Sequence, residues 1–196
     1  MQSPLPKLPD TWQPLGNRFS RWLGRSVFKL LGWRCEGELP NIKQLVMAGG
    51  PHTSNWDFIL AISGILGVGA RITWLGKKSM FWGPFDRLLR AAGGLPVDRE
   101  SPVGLVDQVV QSYKDNASQV VAILPEGTRR KVTRWKTGFL RIAYKAEVPV
   151  LMVSFDYSRK CITFGPLLSL SGDESTDLAT VQAHIGRVTG KKFRNQ

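Results

Sequence analysis

The chain has 196 residues, 42% of them hydrophobic, and 27 Lys+Arg against 15 Asp+Glu give a formal net charge of +12. That length and apolar content exclude a disordered chain and allow one domain with a sizeable core. The charge implies an acidic partner such as nucleic acid, anionic lipid or phosphorylated substrate, and the seven Trp favour a membrane interface, where an indole keeps one wet edge while cations meet phosphate.

Residues 1–11 are Pro-rich, lack the apolar core of a signal peptide and read as an extended leader. From 12 to 34 the pattern becomes helical and amphipathic: Phe19, Trp22, Leu23, Ser26 and Leu30 share one face, and Arg18, Arg21, Arg25 and Lys29 line another. This segment fits either a core-packing helix with a solvated basic side or a helix lying on a membrane. We divide the chain into residues 1–34, leader and amphipathic helix, and a domain over 35–196. Strand-like runs at 44–48, 71–75, 95–97, 119–124, 148–155 and 161–164 alternate with helical stretches at 55–66, 79–92, 103–116, 135–145 and 175–188. Such alternation predicts an α/β single domain, with a mainly parallel central sheet flanked by helices and function at the strand ends. The longest apolar stretch, 58–70, has 13 residues with three glycines and is too short to span a bilayer. Cys35 and Cys161 have neither C-x-x-C spacing nor a His cluster, so no metal site is expected and both read as reduced core thiols.

Three strand-end stretches carry chemistry. In "GGPHTSNWDF" one of only two histidines, His52, precedes Asp57 at the start of a helix. Ser54-x-x-Asp57 matches a capping box, which makes His52 incidental. Alternatively, the loop turns His52 back onto Asp57, whose carboxylate fixes the tautomer of a general base. Neither Ser54 nor a cysteine sits in a nucleophile-elbow context, so the second reading favours direct transfer without a covalent enzyme intermediate. In "AILPEGTRRKVTRWKTGF" an apolar strand opens into Glu126, Gly127, Thr128 and Arg129, where Gly allows close backbone approach and Arg can grip a phosphate. Arg130, Lys131, Arg134 and Lys136 add positive potential around it. "GGLPVDRE" ends a third strand at Asp98-Arg99 and alone is only a turn. His184, in the last helical stretch, reads as a packing or surface residue. Met80, Phe81, Trp82 and Phe85 cluster near Lys77 and Lys78, as either a packed helix or a lipid-facing patch.

Taken together, these stretches resemble the glycerophospholipid acyltransferase family, whose bacterial members include 1-acylglycerol-3-phosphate (lysophosphatidic acid) acyltransferases. The family's His-x-x-x-x-Asp block matches His52 and Asp57, with Ser54 at its usual serine. Its second block matches "GGLPVDR" with Arg99, its Pro-Glu-Gly-Thr-Arg block matches 125–129, and its apolar Val-Pro strand matches "VPVLMVSF" from Val148. Order and spacing agree over roughly 35–165. The sequence departs from the pattern at Pro51, where asparagine is common, and at Met152, where a second proline is common.

The resemblance implies transfer of an acyl group from acyl-CoA or acyl carrier protein to the hydroxyl of a lysophospholipid, with no cofactor beyond the co-substrate and no metal. Carried over, His52 is the base and Asp57 orients it. Arg99, Glu126, Gly127, Thr128 and Arg129 shape the acceptor-phosphate site, with Ser54, Lys77 and Lys136 as further candidates. The expected partners are the acceptor, the donor and an anionic membrane surface, without nucleic acid. The expected location is cytoplasmic, peripheral on the inner face of the cell membrane. The alternatives are another lyso-lipid acceptor, such as a lyso-amino-acid lipid, or a non-catalytic basic protein that binds membrane or nucleic acid.

Overall fold

The computed structural model describes residues 4–97, 104–130, 132 and 134–191. In chain order it contains α1 (Arg18–Leu30), β1 (Arg34–Glu36), β2 (Gln44–Gly50), α2 (Trp56–Val68), β3 (Ile72–Lys77), a 3-10 turn (Lys78–Met80), α3 (Gly83–Ala91) and β4 (Gly94–Val97). These are followed by α4 (Leu105–Asp115), β5 (Gln119–Ile123), α5 (Gly138–Ala146), β6 (Val150–Asp156), β7 (Cys161–Leu168) and α6 (Glu174–Ile185). A single α/β sheet of seven strands runs in the order β1-β7-β6-β2-β5-β3-β4. Every neighbouring pair is parallel except β6–β7.

The near-continuous apolar runs of β2 and β6 follow from burial on both faces, as expected for parallel strands covered by crossover helices. Alternate residues serve opposite layers. Leu45, Met47, Leu151, Val153 and Phe155 pack with Phe28 of α1 and Leu60 of α2. Val46, Ala48, Val150 and Met152 pack with Val109 of α4, Phe139 of α5 and Ile185 of α6. The carboxyl ends of β2, β3, β4, β5 and β6 consequently lie along one edge of the sheet, and the loops after them carry the motifs.

The amino-terminal region belongs to this core, with Leu5, Trp12 and Leu15 buried. Helix α1 starts later than the periodicity predicts, because Asn17 and Ser20 form a reciprocal capping box. Gly24 then lets α1 lie tightly against α2, where a methyl at that position would sit 2.4 Å from the Gly67 nitrogen and 2.6 Å from the Ser63 carbonyl oxygen. Arg21 meets Gly69 while Phe28 meets Gly64, so the two helices run antiparallel. The buried α1 residues are Gly24 and Phe28, not the aromatic face read from the sequence: Phe19, Trp22, Leu23 and Leu30 remain 66%, 61%, 43% and 86% exposed.

Three further differences have local causes. Strand β1, within and beyond the end of the expected helical segment, is only three residues long and exists because β7 offers an edge to pair with. The helix expected over 79–92 is a 3-10 turn followed by α3, since Pro84 suits a first helical turn and not an interior. Strand β7 runs on to Leu168 through Pro166, tolerated because β1 covers only Cys161 to Thr163 and a register shift opposite β6 absorbs the residues around the proline.

Candidate active site

β2 ends in Gly49-Gly50, and the space beside Gly50 explains the second glycine: a Cβ there would lie 2.8 Å from Ile185 Cγ2. A cis Gly50–Pro51 peptide follows, and the chain turns through His52, Thr53 and Ser54 into α2. Five residues of straight helix would hold His52 and Asp57 on different faces. With His52 in the loop and Asp57 in the first turn, His52 Nδ1 lies 3.0 Å from Asp57 Oδ2. The Asp57 side chain is 1% exposed and that of His52 18%, which places the carboxylate beneath an imidazole that meets solvent.

Asp57 also performs part of the capping role. Its Oδ2 accepts the backbone N–H groups of Thr53 (2.7 Å) and Ser54 (2.9 Å), while its Oδ1 accepts the Tyr157 hydroxyl. Ser54 does not complete the box, since its Oγ accepts from Trp56 N at 3.2 Å instead. The cap and the His–Asp pair are therefore one arrangement built on one carboxylate. Burial pushes the Asp57 carboxyl upward, but hydrogen bonds from His52, Tyr157, Ser54 and Thr53 outweigh it and hold the group below its ordinary value. An ionised carboxylate can only accept, so His52 carries its proton on Nδ1 and Nε2 is the nitrogen able to take a proton.

Glu126, beyond the end of β5, is 2% exposed, and its Oε1 accepts the backbone N–H of His52 at 2.7 Å. The first and third motifs thus meet directly, through backbone on one side and carboxylate on the other. Gly127 has φ +64°, a conformation that disfavours any side chain, and a Cβ there would meet Lys136 Cδ at 3.0 Å. Lys136 is exposed and its backbone N–H donates to the Pro125 carbonyl, which folds the basic loop over Gly127. Thr128 Oγ1 accepts from Arg130 N at 3.3 Å, and Arg129 and Arg130 are exposed. Lys77 is exposed at the carboxyl end of β3, paired in register with Val97 of β4. Arg99, two residues past β4, lies outside the described residues, as does Lys131.

The motifs do not reveal two residues that reach this turn from elsewhere in the chain. Tyr157, just beyond β6, reaches Asp57 from the other side and stands edge-on to Trp33, with centroids 4.8 Å apart. Thr53 Oγ1 accepts from Lys191 N at 2.9 Å, and the Lys191 ammonium sits 4.2 Å from the centre of the Trp56 ring. The only available signal for Tyr157 was its place, immediately after the carboxyl end of a central strand next to β2. The His184 ring, on α6, packs against Gly165, where a Cβ would lie 2.5 Å from its Nε2.

Among proteins of known family, the model described as "Acyltransferase" matches residues 34–156, more than half of the chain and all the strand ends just described. The chain belongs to the acyltransferase family. No curated protein matches its sequence. A similar solved structure is the crystal structure of PlsC from Thermotoga maritima, titled a 1-acyl-sn-glycerophosphate (LPA) acyltransferase. It aligns with a TM-score of 0.63 at 20% identity, covering 90% of this chain and 81% of that one. The likeness extends to the mainly parallel sheet and its flanking helices. No helix among the described residues of this acyltransferase is long and apolar enough to cross a membrane.

Proposed function

We propose that this acyltransferase moves a fatty acyl group from acyl-CoA or acyl carrier protein to the hydroxyl of 1-acylglycerol-3-phosphate. The observation that carries the reading is the His52–Asp57 pair, a mostly buried imidazole that still meets solvent, held at 3.0 Å by a buried ionised carboxylate. The family match and the printed activity of the Thermotoga PlsC protein support the reaction class and the acceptor. Nε2 of His52 takes the acceptor's hydroxyl proton as that oxygen attacks the thioester carbonyl carbon. The tetrahedral adduct collapses, the C–S bond breaks, and the departing thiolate takes the proton from the imidazolium. Asp57 stabilises that imidazolium and keeps the ring in the correct tautomer. No metal or further cofactor takes part.

Arg99, Thr128 and Arg129 bind the acceptor phosphate, the Gly127 backbone allows its approach, and Lys77 and Lys136 add positive potential at the same sheet edge. Glu126 holds the His52 backbone, and Ser54 supports the turn into α2. The exposed face of α1, with Phe19, Trp22, Leu23 and Leu30 beside Arg18, Arg25 and Lys29, docks on the anionic inner face of the cell membrane, where lyso-lipid acceptors reside. Trp82, Phe85 and Leu88 of the α3 region, also exposed, extend the contact.

The test is thiol release from a long-chain acyl-CoA, with and without lysophosphatidic acid, in the wild type and in His52→Ala. Acceptor-stimulated release should fall by about 10²–10⁴-fold in the variant while its melting temperature is retained. Undiminished transfer by His52→Ala would remove the mechanism. Absence of transfer from both acyl-CoA and acyl carrier protein, to any lysophospholipid, would remove the function.

A further inference from the structure

We propose that Tyr157 is a positioning residue for the proton transfer, completing a Tyr157–Asp57–His52 relay of hydrogen bonds that starts beyond β6 and ends at the imidazole. The inference rests on the acyl-transfer reading for its kinetic consequence, but its geometry stands alone. Asp57 has two carboxylate oxygens with different duties. Oδ2 is occupied by the His52 ring and the Thr53 and Ser54 amides, all from the same turn of chain. Oδ1 receives the Tyr157 hydroxyl, from a residue a hundred positions away. Without that second anchor, every bond on the carboxylate would come from its own loop, and the carboxylate could move with the loop.

Tyr157 itself is held on three sides. Its ring stands edge-on to buried Trp33, its backbone N–H donates to the Thr189 carbonyl at 2.9 Å, and it follows directly on the fully buried β6. The Thr189 segment continues to Lys191, whose backbone N–H reaches Thr53 Oγ1, so the same strap ties Tyr157 to the loop that carries His52. The phenol remains a donor throughout the working range, because burial first and then the neighbouring Asp57 anion push its titration well above the ordinary tyrosine value. Among the described residues, the charged groups beside the pair include Glu126, whose carboxylate takes the His52 N–H, and Lys191, whose ammonium lies over Trp56.

A donor on Oδ1 draws negative charge away from Oδ2, and so sets how strongly Asp57 favours the imidazolium over the neutral ring. Removing it should raise the pH at which His52 titrates, and a more acidic phenol should lower it. The chain has only two histidines, so proton NMR resolves their ring signals and His52→Ala assigns them. The experiment compares the wild type with Tyr157→Phe and with 3-fluorotyrosine placed at 157 alone, which keeps the shape and serves even where Tyr157→Phe does not fold. We expect His52 to titrate roughly half a pH unit higher in Tyr157→Phe and measurably lower in the fluorotyrosine protein. The acid limb of kcat/KM should move in the same senses, and kcat in Tyr157→Phe should fall roughly tenfold at unchanged KM for the acceptor. Loosened packing cannot produce opposite shifts from two variants of one side chain. No shift in either variant, or a shift of the same sign in both, would overturn the proposal. If the wild type transfers no acyl group, the functional reading falls while the NMR titration still decides the role of Tyr157.

Discussion

Asp57 is the residue on which the site depends, because its carboxylate is buried yet accepts from His52, Thr53, Ser54 and Tyr157. Desolvation alone would push its titration upward; the donors outweigh it and hold the group below its ordinary titration. A carboxyl whose folded value is depressed contributes stability above its unfolded value, near 4, and loses that contribution as pH falls through its folded value. The difference in melting temperature between the wild type and Asp57→Asn should therefore shrink as pH falls below about 4. A difference independent of pH would mean that the group is already neutral. At pH 7 the same variant should lose at least about a hundredfold in acyl transfer, since an amide no longer fixes the tautomer or balances the imidazolium.

The seam between α1 and α2 explains how an amphipathic helix can be anchored without burying its aromatic face. Gly24 sits against the backbone of Ser63 and Gly67, so the attachment is close backbone packing supplemented by Phe28, while the side bearing Trp22 and Leu30 faces outward. Gly24→Ala must push two backbones apart and should cost about 1–3 kcal/mol in denaturant unfolding. Ser26→Ala, only partly buried on the same helix, should stay within about 0.5 kcal/mol and serves as the control. Equal stability of both variants would show that the seam is looser than its geometry. The turn at Gly127 belongs to the same scale: its φ is positive and the Lys136 side chain lies beside it, with the Lys136 backbone N–H on the Pro125 carbonyl.

The parallel sheet gathers Gly50, Lys77, Val97, Ile123 and Asp156 at one edge, and so converts motifs separated by tens of residues into a single surface. Its positive charge and the exposed α1 face together suit an anionic bilayer. Pelleting with vesicles containing anionic lipid should fall at least about tenfold on combining Trp22→Asp with Leu30→Asp, and should weaken with salt in the wild type. Because both side chains are 61% and 86% exposed, the melting temperature should not follow. Failure of the wild type to pellet would remove the proposed membrane contact, and retained pelleting by the double variant would remove α1 from it.

The α/β architecture and the strand ends were legible in the sequence because each is written in local pattern: apolar runs of strand length and glycines at turns. The choice between cap and pair at Asp57 was not, because it depends on how the Pro51–Ser54 loop folds back, and both arrangements use the same residues. Which face of α1 meets the core was likewise undecided, since amphipathicity reports that two faces differ and not which one a neighbour covers. Glu126 on the His52 amide, Tyr157 on Asp57 and Lys191 beside Thr53 are contacts between segments distant in the chain. Only the strand order brings them together, and hydrogen bonds across that distance leave no periodic trace in the residues that make them.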